Sequence, residues 1–458
     1  MHPPQEPPPP GEHQPHGDCR QTPVSRDLKR RQCRQRPVSL CGAPSQQPVG
    51  SPFNKLILIN LIDFAILIAI IFAAGNGHQR GFWLSLFQYL GLLGGVLLGA
   101  ALAPAVADLL GIQGSVTRPL TAALVLLVLG SIGSSLGYWL GEPIRLRILE
   151  LSSRSELDNV LGALFSIVAV LATSWFLGLS FSRGPSPAAA RLIQRSTILR
   201  FLDGLAPRPP GFLAGVEQVL SGVSFPATFS GLEPILGAPP PLPTQVDRPG
   251  VQKAASETVE VQSIGVGCNG IITGSGFPIT ANHVLTNAHV VAGTRNSVVI
   301  LPDGSRHGAT VVLFDPDVDV AILYVRGLNL APFPTASADR GTQGAAIGYP
   351  GGQSLTVSPA VVDEVINAEG RDIYNQNLVT RQIFVIDSTT ANGGPGVQPG
   401  NSGGPLVDLN GNVLGVIFAA STSDATRAYA LTDNQVAGDE QAGGGRTSAV
   451  DVGNRCAV

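Results

Sequence analysis

Three short segments in the C-terminal half carry residue types suited to covalent acyl transfer. They are Leu285-Thr286-Asn287-Ala288-His289-Val290-Val291, Asp317-Val318-Asp319-Val320-Ala321-Ile322-Leu323 and Gly400-Asn401-Ser402-Gly403-Gly404-Pro405-Leu406. A serine hydroxyl is a poor nucleophile until a base takes its proton during attack. Histidine suits that base, because it titrates near neutrality and can return the proton to a leaving amine. An aspartate can fix the imidazole tautomer and stabilise the imidazolium as it forms. Glycines around the serine allow a tight turn, in which the amides of Gly400 and Ser402 can point at one oxyanion. Each such donor lowers a barrier by about 3 kcal/mol. The expected catalytic set is His289, Asp319 and Ser402, with Gly400 and Ser402 as the oxyanion hole.

Other residues compete for two of these roles. His283 lies six positions before His289 but lacks the Thr-x-Ala lead-in, and His307 follows the turn-forming Asp303-Gly304 and is expected to be solvated. Asp315, Asp317 and Asp319 could each orient the histidine. Asp319 directly precedes an apolar run that reads as a buried strand, which favours it, and Asp317 is the alternative.

The elements that must hold these residues are short β-branched runs broken by Gly, Asn and Asp. They include Ser297–Leu301, Thr310–Leu313, Val320–Val325, Gly344–Gly348, Ile383–Ile386 and Val413–Phe418. At this density over 251–458 they predict an all-β double barrel or sandwich. The rest of the chain is different. Only 13% of the 458 residues are charged, which argues against a wholly soluble protein. Four apolar stretches, near Leu56–Ala74, Phe82–Ala103, Leu120–Leu140 and Val160–Phe181, each match the thickness of a bilayer core. Asp63 is their only ionisable acid or base; a neutral Asp bonded to another helix competes there with a proton-handling role. Gly91, Gly95 and Gly99, and then Gly133 and Gly137, repeat at the small-residue period of closely packed membrane helices.

The expected order is a Pro/Arg-rich disordered tail (1–52), a four-helix transmembrane domain (53–182), a Pro-rich linker (183–250) and the β domain (251–458). Within the linker, Ser186–Asp203 could form one basic surface helix, and seven prolines between Pro226 and Pro249 predict a semi-rigid spacer. Cys19, Cys33 and Cys41 lie in the tail without metal-ligand spacing. A net charge of −3 supplies no basic surface for nucleic acid, and nothing suggests a metal, nucleotide or other cofactor.

The order His, Asp, Ser and the motifs around it resemble the chymotrypsin-fold, trypsin-like serine proteases of bacteria. Asn60-x-x-Asp63-x-x-Ile66 and Arg80-Gly81-Phe82, followed by the Gly-rich second stretch, resemble the CvpA-type membrane domain. Together the two halves resemble the MarP-like family of actinobacterial membrane serine proteases, also through Gly348–Gly352 and Asp372-Ile373-Tyr374. The resemblance implies a multi-domain chain, all-α then all-β chymotrypsin-like, acting as a serine endopeptidase outside the cytoplasmic membrane. It implies protein substrates of the cell envelope, a lipid partner, an association with acid or oxidative stress, and the triad His289, Asp319 and Ser402.

Asn401 stands where animal trypsins use an aspartate to pair with a new N-terminus, so another form of control is expected. Gly396, six residues before the serine, argues against a tryptic preference, and Phe418–Ala420 could line a small or apolar pocket. Cys268 and Cys456 are expected to pair in an oxidising compartment, as the resemblance also implies, through a terminal strand Ala449–Cys456. With four spans the N-terminus lies outside, and Arg80, Arg145, Arg147 and Arg154 lie in cytoplasmic loops. The basic tail fits that topology poorly and Met1 is the only methionine, so translation is expected to begin near Val49–Leu58. A CvpA-like transport or secretion component with an accessory protease domain is the alternative function.

Overall fold

A computed structural model describes residues 60–112, 117–151, 155–183, 186–206, 228–265 and 270–457. The tail, Cys19, Cys33 and Cys41, the expected start near Val49–Leu58, and Cys268 lie outside the described residues. Among the described residues three helices are long and apolar enough to cross a membrane: α1 (Leu61–Leu109), α2 (Thr117–Leu151) and α3 (Ser155–Ser182). The first two apolar stretches thus share one helical element, which Gly81 interrupts at φ 76° and ψ 173°. The break leaves a second set of unpaired helix-start amides. Asp158 accepts from Phe82 N (2.9 Å) and Trp83 N (3.4 Å), and its other oxygen pairs with Arg145 Nε at 3.2 Å. A Cβ on Gly91 would run into the Gly133 carbonyl, and one on Gly133 into that of Gly91. The glycine period therefore places backbone against backbone between α1 and α2.

Asp63 does not sit well inside a span, as the sequence suggested, but in the first turn of α1. Asn60 caps that helix, and its Oδ1 accepts from Asp63 N at 3.0 Å. The sequence also predicted one basic helix over Ser186–Asp203. Two helices form instead, α4 (Pro187–Gln194) and α5 (Thr197–Leu205), because Ser196 caps the second. The Asp63 carboxylate accepts from Ser196 Oγ (2.5 Å), Thr197 N (3.2 Å) and Ile198 N (3.1 Å). An anion at a helix start satisfies amides that otherwise lack partners. Asp63 is thus bonded to another helix, the structural one of the two roles read from the sequence.

From α6 (Pro249–Glu257) onward the chain is mostly β. Strands β1 (Val259–Gly265), β2 (Gly270–Thr280), β3 (His283–Thr286), β4 (Thr294–Ile300), β5 (Arg306–Asp315) and β6 (Val320–Tyr324) close in the order β1-β2-β3-β6-β5-β4. Strands β7 (Gln343–Gly348), β8 (Thr356–Arg371), β9 (Leu378–Ser388), β10 (Pro405–Asp408), β11 (Val413–Ala420) and β12 (Arg427–Thr432) close into a second barrel. Its strand order is that of the first, shifted by six. Alternation sends successive side chains to opposite faces of each strand. Val259, Val261, Val284, Val299, Ala321 and Leu323 cluster in the first barrel, and Ala346, Val362, Phe384, Leu406 and Ile417 in the second. Phe277, Leu285, Ile322, Ile347, Val385 and Phe418 join both barrels and α6 in one core.

Two expectations for the flanks change. The Pro-rich segment is no free spacer, because Phe229, Leu236 and Val246 pack on that shared core. Arg340 Nη2 donates to Ala238 O (2.8 Å) and Gln343 Nε2 to Pro241 O (2.9 Å), which fastens it further. Ala449–Cys456 is irregular and not a strand; Asp451 Oδ1 accepts from Gly453 N (2.9 Å) and turns the chain. It still lies on the first barrel, through Val450 N to Val311 O and Val452 O from Gly293 N. Cys456 is disulfide-bonded.

Candidate active site

β3 and β6 are neighbours in the first barrel, so the residues at their ends meet. Asn287 ends the β3 connection and starts the short helix α7 (Ala288–Val291), which carries His289. Asp319 immediately precedes β6. Its Oδ2 lies 2.8 Å from His289 Nδ1, and its Oδ1 accepts from the His289 amide at 2.9 Å. The aspartate is fully buried and holds φ +73°, a region that non-glycine residues enter at a cost. Ser402 lies three residues before β10 of the second barrel and is 3% exposed. Its carbonyl accepts from Ser275 N of β2 at 2.7 Å, which fastens the serine turn to the first barrel.

The turn itself depends on Gly403, at φ +84°. A Cβ there would collide with Ser275 O and Thr286 Oγ1. Ser275 Oγ donates to Gly400 O (2.7 Å) and accepts from Tyr349 N (2.9 Å). Neither Gly400 N nor Ser402 N has an acceptor among the described residues. Asn401 is buried; its Oδ1 accepts from Gln398 N at 3.1 Å, while Nδ2 finds no partner among the described residues.

The competing residues are placed elsewhere. His283 is buried between Thr280 Oγ1 and Arg446 O, each at 2.7 Å, and His307 lies on β5 opposite Val299. Asp315 Oδ1 accepts from Asp317 N (2.8 Å) and Val318 N (2.9 Å), a turn that leads into Asp319. The Asp317 carboxyl makes no contact with His289 among the described hydrogen bonds. Gly396 packs against Ser388, and Phe418 is wholly buried in the shared core.

Two supporting residues escaped sequence reasoning. Asn287 Nδ2 donates to Asp319 O at 2.8 Å; its place inside the histidine motif was the available clue. Arg381 of β9 is 1% exposed and donates through Nε to Asp317 O (2.8 Å) and Val318 O (3.1 Å), and through Nη2 to Arg371 O (2.8 Å). Its guanidinium faces Asp319, Asp317, Asp372 and Asp315. A lone arginine in an apolar strand was its only mark in the sequence.

The C-terminal helix α8 (Asp433–Gly443) packs on β5, β6, β9, β11 and β12. Burial, then Asp315, pushes Asp439 up to about 6; burial, then Asp433 and Asp439, pushes Glu440 up to about 7. Both acids hold a proton more tightly folded than unfolded, where they titrate near 4. Their contribution to stability is therefore full below pH 4 and lost as pH rises through 6 and 7. Hydrogen exchange in 433–443, corrected for intrinsic rates, should be slower at pH 5 than at pH 8. Glu440→Gln should flatten that difference; equal protection at both pH values in the unaltered chain would refute it.

Comparison with known proteins places both halves. Residues 62–207 match the family model of the colicin V production protein, and residues 274–416 that of the trypsin-like peptidase domain. The serine protease Rv3671c of Mycobacterium tuberculosis is 34% identical over 389 residues, 82% of this chain and 94% of that protein. A probable periplasmic serine endoprotease, DegP-like, of Chlamydia pneumoniae is 35% identical over 149 residues, 32% of this chain and 28% of that protein. Among solved structures, the active form of the Rv3671c protease is 40% identical, covers 50% of this chain and 99% of its own, and has a TM-score of 0.45. The chain is a serine protease and belongs to the Rv3671c family, in which a CvpA-type membrane domain precedes a trypsin-like peptidase domain.

Proposed function

We propose that the chain is a membrane-anchored endopeptidase that cleaves cell-envelope proteins outside the cytoplasm, with His289, Asp319 and Ser402 as its triad. The observation that carries this reading is the buried Asp319 carboxylate, bonded at once to the His289 ring and amide beside a serine turn. His289 takes the Ser402 proton as Oγ attacks the scissile carbonyl. The oxyanion binds the two amides of Gly400 and Ser402. Collapse passes the proton to the leaving amine and leaves an acyl-enzyme, which a water activated by His289 then hydrolyses. The domains run as 53–182, 183–250 and 251–458, after the tail at 1–52.

Four spans are favoured over three. Ala73 and Leu92 line one cavity of about 170 Å³. A straight helix would hold them about 28 Å apart, so α1 doubles back at Gly81. Both ends of the membrane domain then lie on one side, with Arg80 and Arg145 on the other. An extracytoplasmic peptidase domain is consistent with Cys456 in a disulfide, for which Cys268 is the partner we infer. The role in acid or oxidative stress is carried over from the family resemblance. The transport alternative draws on Asp63, which is bonded at the α5 start, and on the glycine-lined spans, whose Gly91 and Gly133 pack backbone to backbone. A serine-directed fluorophosphonate applied to intact cells should label Ser402. No labelling of intact cells, with labelling after lysis, would place the domain inside.

A further inference from the structure

β11 passes directly beside the serine turn: Gly403 N donates to Ile417 O (2.8 Å) and Ile417 N to Gly404 O (2.9 Å). Its pairing with β10 ends at Pro405 opposite Val416. Beyond that point Ala419 and Ala420 pair only with β12, so one edge of Phe418–Ala420 is open. A peptide whose carbonyl rests on Ser402 would run along that edge and add a short strand to it. The loop that ends the edge, Ser421–Ser423, is held by a residue of the Pro-rich segment. The Glu233 carboxylate accepts from Ser421 Oγ (2.6 Å), Thr422 N (3.0 Å) and Ser423 Oγ (2.7 Å). Charge-assisted bonds of this kind are about twice as strong as neutral ones.

Glu233 is itself tied to the membrane side. Arg200 Nη2 of α5 donates to its carbonyl at 3.0 Å, and Leu232 N donates to Asp203 Oδ2 at 3.1 Å. Thr422 Oγ1 also donates to Ser182 O, at the end of α3, at 2.8 Å. Phe229 stands edge-on to the buried Tyr429 ring at 5.3 Å, beneath the same loop.

We propose that Glu233 is a positioning residue for peptide recognition, fixing the end of the open β11 edge from the segment that joins it to the membrane domain. This rests on the reading of Ser402 as the nucleophile. Substrates are then bound well only while the segment around Glu233 is docked on its loop. A small reagent that reacts at Ser402 without using the edge does not depend on it.

The test uses the full chain in detergent micelles, an extended fluorogenic peptide and a small fluorophosphonate. Glu233→Ala should raise KM for the peptide about tenfold, the worth of one hydrogen bond to a charged group, with kcat and the labelling rate of Ser402 nearly unchanged. Glu233→Gln, which keeps an acceptor oxygen, should fall between. A chain with Ser421→Ala plus Ser423→Ala, which leaves Glu233 in place, should raise KM in the same direction. An unchanged KM in Glu233→Ala would overturn the proposal. So would labelling and peptide turnover falling in step in both altered chains, since the clamp would then serve the whole site. Failure of the unaltered chain to label would instead remove the reading of Ser402.

Discussion

Ser402→Ala should lower kcat about a million-fold, and His289→Ala by a similar factor, without loss of fold. The serine side chain donates to nothing that holds the barrels together; the turn is fastened through its carbonyl to Ser275 N. Asp319→Asn should cost about ten thousand-fold, because an amide there favours the wrong histidine tautomer. The three losses should be strongly non-additive, since each variant removes the same proton-transfer unit. Asp317→Asn should leave turnover close to that of the unaltered chain, because the Asp317 backbone and not its carboxyl holds Arg381. Steady-state kinetics on an extended peptide, with circular dichroism as the fold control, checks all four. Full activity in Asp319→Asn with a loss in Asp317→Asn would show that the orienting acid is the wrong one.

Arg381→Met should be the most damaging substitution outside that set. The guanidinium is the cation that offsets Asp315, Asp317, Asp319 and Asp372, and its Nε gathers the carbonyls just before Asp319. Methionine fills much of the space but strips the Asp317, Val318 and Arg371 carbonyls of their donor, a loss of about 3–5 kcal/mol in all at about 1–2 kcal/mol each. For a domain of this size that corresponds to a fall in Tm of roughly 10 °C. The positive φ of Asp319 is then no longer enforced, so kcat should fall further than KM rises. Arg381→Lys should recover part of the stability but less of the turnover, since an ammonium cannot span two carbonyls as the fork does. A Tm within 2 °C of the unaltered chain, with kcat intact, would remove Arg381 from the site.

Local chemistry alone determined much of this protein. Each run named from β-branched residues falls on a strand, with only Leu301 and Val325 one residue past the end, because strand preference is written into neighbouring residues. The described parts of the apolar stretches lie in helices, because an unbroken apolar run of about 20 residues is likewise a local property. His289, Asp319 and Ser402 could be singled out because each sits in a short segment whose turn and following strand are encoded on the spot. Asp319 stood out from Asp317 by the buried strand beside it, and the structure puts Asp319 against His289.

Only the tertiary structure decided what depends on contacts between distant residues. Asp63 could not be separated from a proton-handling acid until Ser196, 133 positions later, placed a helix start over it. The seven prolines read as a spacer because composition records stiffness and not docking; Glu233 meets its loop 188 residues away. Arg381 has no local signature, since its partners come from the turn before β6, some 60 residues earlier in the chain. Ala449–Cys456 is no strand, because Asp451 and Gly453 form a turn that ends any ladder. Backbone and side-chain preferences act over a few residues, whereas a buried charge acquires its role from whatever the fold brings within a few ångströms of it.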